Sequence, residues 1–305
     1  MHAFEIHDER ARRLLPPGAT LQRLASGCTW SEGPVWMPEH RLLLWSDIPN
    51  NRMMFWHPER GSGVWRDRVD FTNGHTREHD GALLHCSHGQ RAIVRTRLDA
   101  QGQPLTDEIV VDRHQGRRLN SPNDVVVKSD GSIWFTDPPY GILSDREGHR
   151  APSELSANHV FRFVPASGEL FAVTDAVEEP NGLAFSPDES LLYVSDTSAA
   201  LRQSGGHHHI VVFDVVDGQH LSGPRLFAEI EPGLPDGFRV DEQGWLYTSS
   251  ADSVQVYAPD GRQLMKIFVP EKVGNLVFGG EQGRDLFICA STSLYRITLN
   301  TRGIS

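Results

Sequence analysis

Six places in the chain open an apolar run with a pair of small or polar residues. In five of them the first residue carries a side-chain oxygen: Glu32, Asn73, Asn123, Asn181 and Asp236, with Gly274 in the sixth. Brought to one point, these side chains would form a nest of hard oxygen donors. Calcium takes about six to eight such oxygens. Glu32 and Asp236 supply two negative charges against one divalent ion, and Asn123 and Asn181 add neutral carbonyls. No His or Cys falls at this place, which disfavours zinc, and magnesium demands a stricter octahedron. Ca2+ is therefore the expected ion, ahead of Mg2+, Mn2+ or Zn2+. Asn-Gly and Asp-Gly pairs also make ordinary turns. Glutamate has no such preference, and turn formation does not explain one side-chain chemistry at five places.

For these residues to meet, the elements behind them must repeat. SEGPVW from Ser31, TNGHTR from Thr72, PNDVVV from Pro122, PNGLAF from Pro180, PDGFRV from Pro235 and VGNLVF from Val273 share one pattern and mostly lead into a strand. A second strand follows a short turn (LLLWSD, LLHCSH, IWFTD, LLYVSD, WLYTSS, LFICAS), and usually a third, such as RMMFWHP or HIVVFDV. The second residues of the pairs are Gly33, Gly74, Asp124, Gly182, Gly237 and Asn275, at intervals of 41, 50, 58, 55 and 38 residues. Four-stranded propeller blades need about this length. The predicted fold is all-β: a six-bladed β-propeller closed by the N-terminal strand LQRLASGC, which pairs with the last blade and removes the exposed edges. Residues 1–18 are expected to form a loosely attached arm and 19–305 one propeller domain. In such a ring the first strands line the axis, so the five donors converge at one mouth.

Thirteen or fourteen residues beyond each marker lie Asp47, His88, Asp137, Asp196, Ser250 and Cys289. They end the second strands, and the three aspartates are expected to tie loops together by hydrogen bonds. His88 could orient a substrate or shuttle a proton. The run His207-His208-His209 reads as a loop tip or strand start rather than a metal tract. No GxSxG, HExxH, P-loop or GxGxxG motif is present, so serine-triad, zincin and nucleotide chemistries lack support.

Composition narrows the class further. Hydrophobic residues make up 38% of the chain, with 7 Trp and 14 Phe, enough for a sizeable core. The formal net charge of -11 repels phosphate backbones, so nucleic acid is not an expected partner. No stretch approaches the roughly 20 apolar residues that span a bilayer. The start, MHAFEIHDERARRLLPPG, lacks a secretory apolar region, so a cytoplasmic protein without membrane contact is expected. Cys28, Cys86 and Cys289 are too widely spaced for a thiolate knuckle or redox pair and are expected to be reduced and buried. A monomer or weak homodimer is expected.

SEGPVW near the start, SPNDVVVKSDGSIWFTDPPYG from Ser121, EEPNGLAFSPDESLLYVSD from Glu178 and LPDGFRVDEQGWLYTSS from Leu234 resemble the SMP-30/gluconolactonase family, and its bacterial gluconolactonases most. The likeness runs in order through roughly residues 20–299. It implies a six-bladed propeller with one divalent metal at the channel mouth and a sugar lactone as substrate. The metal-binding Glu of the family maps to Glu32, the Asn of its PNG-type motif to Asn181, and the Asp of its PDG-type motif to Asp236. An Asn that binds metal or substrate maps to Asn123, whereas Asn73 rests on its repeat position alone. Animal-type members carry a substrate-holding Arg two residues before the third-blade Asn. Here that place is Ser121, with Arg118 three residues further back.

On this reading a small cyclic ester, D-glucono-1,5-lactone first, is hydrolysed at the metal. The metal polarises the carbonyl, and Asp236 takes a proton from the attacking water, with Asp124, His88 or a water activated by the metal as alternatives. Tyr140 in Pro138-Pro139-Tyr140-Gly141 offers a flat face and a hydroxyl to a sugar ring. A broad metal-dependent phosphotriesterase or other lactonase, and a non-catalytic calcium-stabilised scaffold, are the competing readings.

Overall fold

The computed structural model describes residues 3–304. Six antiparallel sheets follow one another along the chain and form the six blades. Blade 1 runs Ser31–Met37, Leu42–Asp47, Arg52–His57 and Gly61–Asp67, and blade 2 runs Thr72–Arg77, Leu83–Ser87, Ala92–Leu98 and Pro104–Val111. A two-stranded hairpin, Arg113–His114 with Arg117–Arg118, leads to blade 3: Val125–Val127, Ile133–Asp137, His159–Val164 and Glu169–Thr174. Blade 4 comprises Pro180–Phe185, Leu191–Asp196, His209–Val216 and His220–Glu229, and blade 5 Phe238–Val240, Leu246–Ser249, Ser253–Tyr257 and Gln263–Phe268. Blade 6 has Val273–Gly279, Asp285–Ala290 and Ser293–Thr298 from the end of the chain.

Burial along each blade explains the sequence pattern. Second strands lie between neighbouring strands and between neighbouring blades, so Leu42–Asp47 is buried throughout and reads as a nearly continuous apolar run. Fourth strands face solvent, and Pro104–Val111 is exposed over most of its length. Its charged residues discourage edge pairing with another chain. The cores lie between blades, where Phe135, Phe161 and Phe287 are fully buried. Each such side chain contributes about 1.5–3 kcal/mol on leaving water.

The expected closure requires correction. The sheets are separate: among the described residues no sheet closes on itself and no strand ladder runs from one blade to the next. Gln22–Ser26 does lie antiparallel to the last strand, with Gln22 opposite Arg296 and Ser26 opposite Ser293. It occupies the outer edge of blade 6, however, so it adds an edge strand instead of removing one. Ladders in this fold run outward from the hub, and a strand added at the rim cannot bond to the next blade. Packing between blade faces joins the two ends. Trp36 of blade 1 stacks on Phe287 of blade 6 at 5.6 Å between ring centroids. At the hub, a Cβ on Gly274 would stand 2.6 Å from Glu32 Oε1, so blade 6 abuts blade 1 through a residue with no side chain.

Phe4 to Leu14 pack against the ring. Phe4–Ile6 pairs with Gln263–Phe268 and makes blade 5 five-stranded. Ala11 and Leu14 are fully buried, and the Arg13 guanidinium lies 4.6 Å over the Trp245 ring. All three cysteines are buried free thiols. Among the described residues no helix is long and apolar enough to cross a membrane.

Candidate active site

Each first strand delivers its opening residue to the same end of the central channel. A cavity of about 180 Å³ there is lined by Glu32, Asn73, Asn123, Asn181 and Asp236, together with His88 and Tyr140. Residues from five blades, with Lys272 at the entry to the sixth, thus meet in a space the size of one sugar ring. A roomier recess of about 520 Å³ lies between Ala199, His208 and 231–234, apart from this ring of donors. Glycine at the second place of the pair serves this convergence. Gly33 has φ +53°, and a Cβ on it would fall 2.1 Å from the Asn73 carbonyl oxygen of the next blade. The pairs therefore mark close approach at the hub, beyond their use as turn formers.

Hydroxyls set the backbone of the ring. Ser46 donates to the Asn73 carbonyl at 2.9 Å, Thr136 to that of Asn181 at 2.6 Å, and Ser195 to that of Asp236 at 3.2 Å. Each hydroxyl comes from the preceding blade and stands directly before a second-column aspartate. Sequence reasoning missed this role, although WSD, FTD and VSD display the recurring Ser or Thr.

The ring's two carboxylates are short of partners. Glu32 Oε2 accepts from Gly33 N at 2.8 Å, while Oε1 is buried with no partner among the described residues. Burial first, and then the Asp236 charge, pushes the Glu32 carboxyl well above its ordinary range. Burial likewise raises Asp236 to about 6, against the pull of Lys272 and the Asn181 amide. A buried Glu32 and a half-buried Asp236 that repel one another beside three amides form a donor set that fits a hard cation. Glu32, Asp236, Asn123 and Asn181 all face the cavity in which it would lie.

Not every expected residue comes to the cavity. Asp124 is buried beneath it: Oδ2 accepts from Arg239 Nη1 at 3.2 Å and Oδ1 from Val125 N at 3.0 Å. Arg118 is turned away, with Nη2 donating to the Gln90 carbonyl at 2.5 Å. His88 lines the cavity, yet both its nitrogens are engaged, Nδ1 2.8 Å from the Glu147 carbonyl and Nε2 3.3 Å from Asn73 Nδ2. Burial lowers its pKa to about 4, so it is neutral. The Tyr140 hydroxyl is 2.6 Å from Thr197 Oγ1. Trp30, Glu147, Thr197 and Lys272 complete the polar and aromatic lining. They belong to loops and carried no repeat signal.

Second-column aspartates work as ties. Asp47 accepts from Thr29 N at 2.8 Å, Asp137 from Asn120 N at 2.8 Å, and Asp196 from Glu178 N at 2.9 Å. Each one fastens the segment entering its own blade. Glu178, Asp196 and His207 gather their ligand atoms within 4.8 Å of one another, but Glu178 pairs with Arg202 at 2.7 Å and Asp196 is occupied by backbone N–H groups. His209 starts a blade 4 strand.

Comparison with known proteins agrees with this geometry. Residues 30–292 match the family model described as SMP-30/Gluconolactonase/LRE-like region. A gluconolactonase of Zymomonas mobilis is 34% identical over 320 aligned residues, covering 96% of this chain and 85% of that protein. The structure of a gluconolactonase from Xanthomonas campestris superposes with a TM-score of 0.88 at 39% identity, covering 98% of this chain and 95% of that one. Regucalcin of Agrobacterium tumefaciens, described as a calcium-binding protein, shares the fold at a TM-score of 0.75 and 16% identity, covering 94% and 96%. With the family model spanning the propeller and both gluconolactonases matching nearly its whole length, the chain belongs to the SMP-30/gluconolactonase family and is a lactonase-type hydrolase.

Proposed function

We propose that the cavity hydrolyses the ring ester of a sugar lactone, D-glucono-1,5-lactone first among them, with a divalent cation held by Glu32, Asp236, Asn123 and Asn181. The observation that carries this reading is Glu32 Oε1, a buried carboxylate oxygen with no partner among the described residues, in a cavity shared with the half-buried carboxylate of Asp236. Calcium suits the all-oxygen donor set best, and the calcium-binding regucalcin on the same fold supports that choice. When bound, the cation would polarise the lactone carbonyl and favour the negative charge that develops on its oxygen.

The chain's own residues supply the rest. Asp236 is the proposed base, since Asp124 is committed to Arg239 and the lone pair of His88 to Asn73. A water oxygen bonds to the carbonyl carbon while Asp236 takes its proton. The bond from that carbon to the ring oxygen then breaks, and the proton passes to the ring oxygen as the new hydroxyl. Asn123 has no side-chain partner among the described residues and offers its amide to sugar hydroxyls, and the Tyr140 ring gives a flat wall.

A pH-indicator assay tests the reading: chelator-stripped protein, Ca2+, Mg2+, Mn2+ and Zn2+ restored one at a time, and background hydrolysis subtracted. Activity restored by a divalent ion and absent in Glu32→Gln is expected. Folded, cation-loaded protein that leaves the lactone at its background rate would overturn the gluconolactone assignment and direct the search to other lactones and phosphotriesters.

A further inference from the structure

Two ring amides are held by their N–H groups, and the residue that holds each one also holds the 138–158 loop. His88 Nδ1 lies 2.8 Å from the Glu147 carbonyl. A carbonyl can only accept, so Nδ1 carries the proton and the neutral ring presents a lone pair at Nε2. Asn73 Nδ2 must then be the donor across the 3.3 Å to Nε2. On the opposite side of the cavity, Thr197 Oγ1 lies 3.2 Å from Asn181 Nδ2 and 2.6 Å from the Tyr140 hydroxyl. Glu147 and Tyr140 belong to the same loop, which is pressed close: a Cβ on Gly141 would fall 2.5 Å from His88 Cβ. With one N–H of each amide engaged, Asn73 and Asn181 have carbonyl oxygens left to offer. Such acceptors suit a cation or the hydroxyl hydrogens of a polyol.

We propose that His88 and Thr197 are paired positioning residues, each aiming one ring amide and docking one part of the 138–158 loop, so that seating the loop and orienting the Asn73 and Asn181 carbonyls are a single event. The consequence for catalysis rests on the lactonase reading above. The coupling itself does not, and it has its own readout.

Thr197→Val preserves shape and removes the hydroxyl, Tyr140→Phe cuts only the loop's side of the contact, and His88→Leu removes the other latch. Calcium affinity by titration calorimetry and hydrogen–deuterium exchange over 138–158 are measured on each, with thermal melts to confirm folding and His88→Asn as the milder substitute. Thr197→Val is expected to weaken calcium about tenfold, the usual scale for groups that orient ligands, and to raise exchange around Glu147, away from the mutation. Tyr140→Phe should do both to a smaller degree, about threefold in affinity, through the loop alone. The pH dependence of lactone turnover should keep its shape in Thr197→Val, since no proton-transfer group is lost.

A loosened loop with unchanged calcium affinity, or weakened affinity with an undisturbed loop, would overturn the coupling. If the wild type neither binds calcium nor opens lactones, the functional reading fails. Exchange near Glu147 still tests the loop's share of the coupling in that case: wild-type protection in Thr197→Val refutes it.

Discussion

Two sets of buried acids lie one strand apart and are treated in opposite ways. In the second column, Asp47 receives the backbone N–H groups of Thr29 and Trp30 at one oxygen, and Asn50 and Arg52 at the other. At the hub, Glu32 keeps one oxygen without a well-formed hydrogen bond among the described residues, and Asp236, which shares its surroundings, repels it more strongly than the Asn275 amide relieves it. Asp137 stands between, with one oxygen on Asn120 N, the other unpartnered, and a carboxyl raised by burial to about 7. A saturated buried acid is a structural tie. One left short of partners in a cavity costs stability and is held ready for a ligand. Acidity and burial are common to both sets, so the supply of donors is what separates scaffold from site.

The sharpest way to break this contrast is Glu32→Gln. Lactone turnover should fall by about 10³-fold, on the scale of losing a principal electrostatic contribution, while the cation-free protein becomes more stable by about 1 kcal/mol or more because a buried charge is removed. Steady-state assays and thermal melts on one preparation check both signs, and a destabilised Glu32→Gln would place Glu32 among the ties.

Asp47→Ala should show the reverse. Loss of a saturated buried carboxylate is expected to cost about 3 kcal/mol, lowering the melting temperature by about 6 °C, with kcat/KM nearly unchanged. Calcium should then sort the two sets. At about a hundredfold excess over its Kd it should stabilise the wild type and Asp47→Asn by about 2.7 kcal/mol and leave Glu32→Gln unmoved.

Acid pH gives the most specific effect. His75 and His85 are buried, and desolvation holds them at about 4 and about 3, below the ordinary 6.5. Between those values and 6.5 the unfolded chain binds more protons than the native one. Stability therefore falls as pH falls through that window, by up to about 1.4 kcal/mol per pH unit for each histidine. Asp236 has the opposite sign in cation-free protein. Raised from 3.8 to about 6, it binds more protons when folded, and stability rises as pH falls from 6 toward 3.8. Asp236→Asn should thus steepen the acid-side loss of melting temperature when cation is absent, and a slope equal to that of the wild type would contradict the account.

The six-blade architecture was legible in the residues because each blade repeats the same register, small or polar pair, apolar strand, turn, second strand. A period of that kind survives differences in loop length. The same regularity made Glu32, Asn73, Asn123, Asn181 and Asp236 stand out as one column, and the structure gathers them in one cavity. How the ring closes was not legible. LQRLASGC reads equally well as a strand that seals an edge or as one that becomes an edge, and the outward run of the ladders decides between them. The fates of the remaining candidates were also outside its reach. Asp124 is withdrawn by Arg239, 115 residues along the chain, and His88 is fixed by Glu147, 59 residues away. Trp30, Glu147, Thr197 and Lys272 enter the cavity from loops whose residue types do not repeat from blade to blade. Periodic spacing, alternation and residue type are local properties, so the chain alone determined the blade, its repeat and the donors at its start. Which donors are saturated and which stay open depends on groups brought from distant loops, and only the tertiary structure decided that.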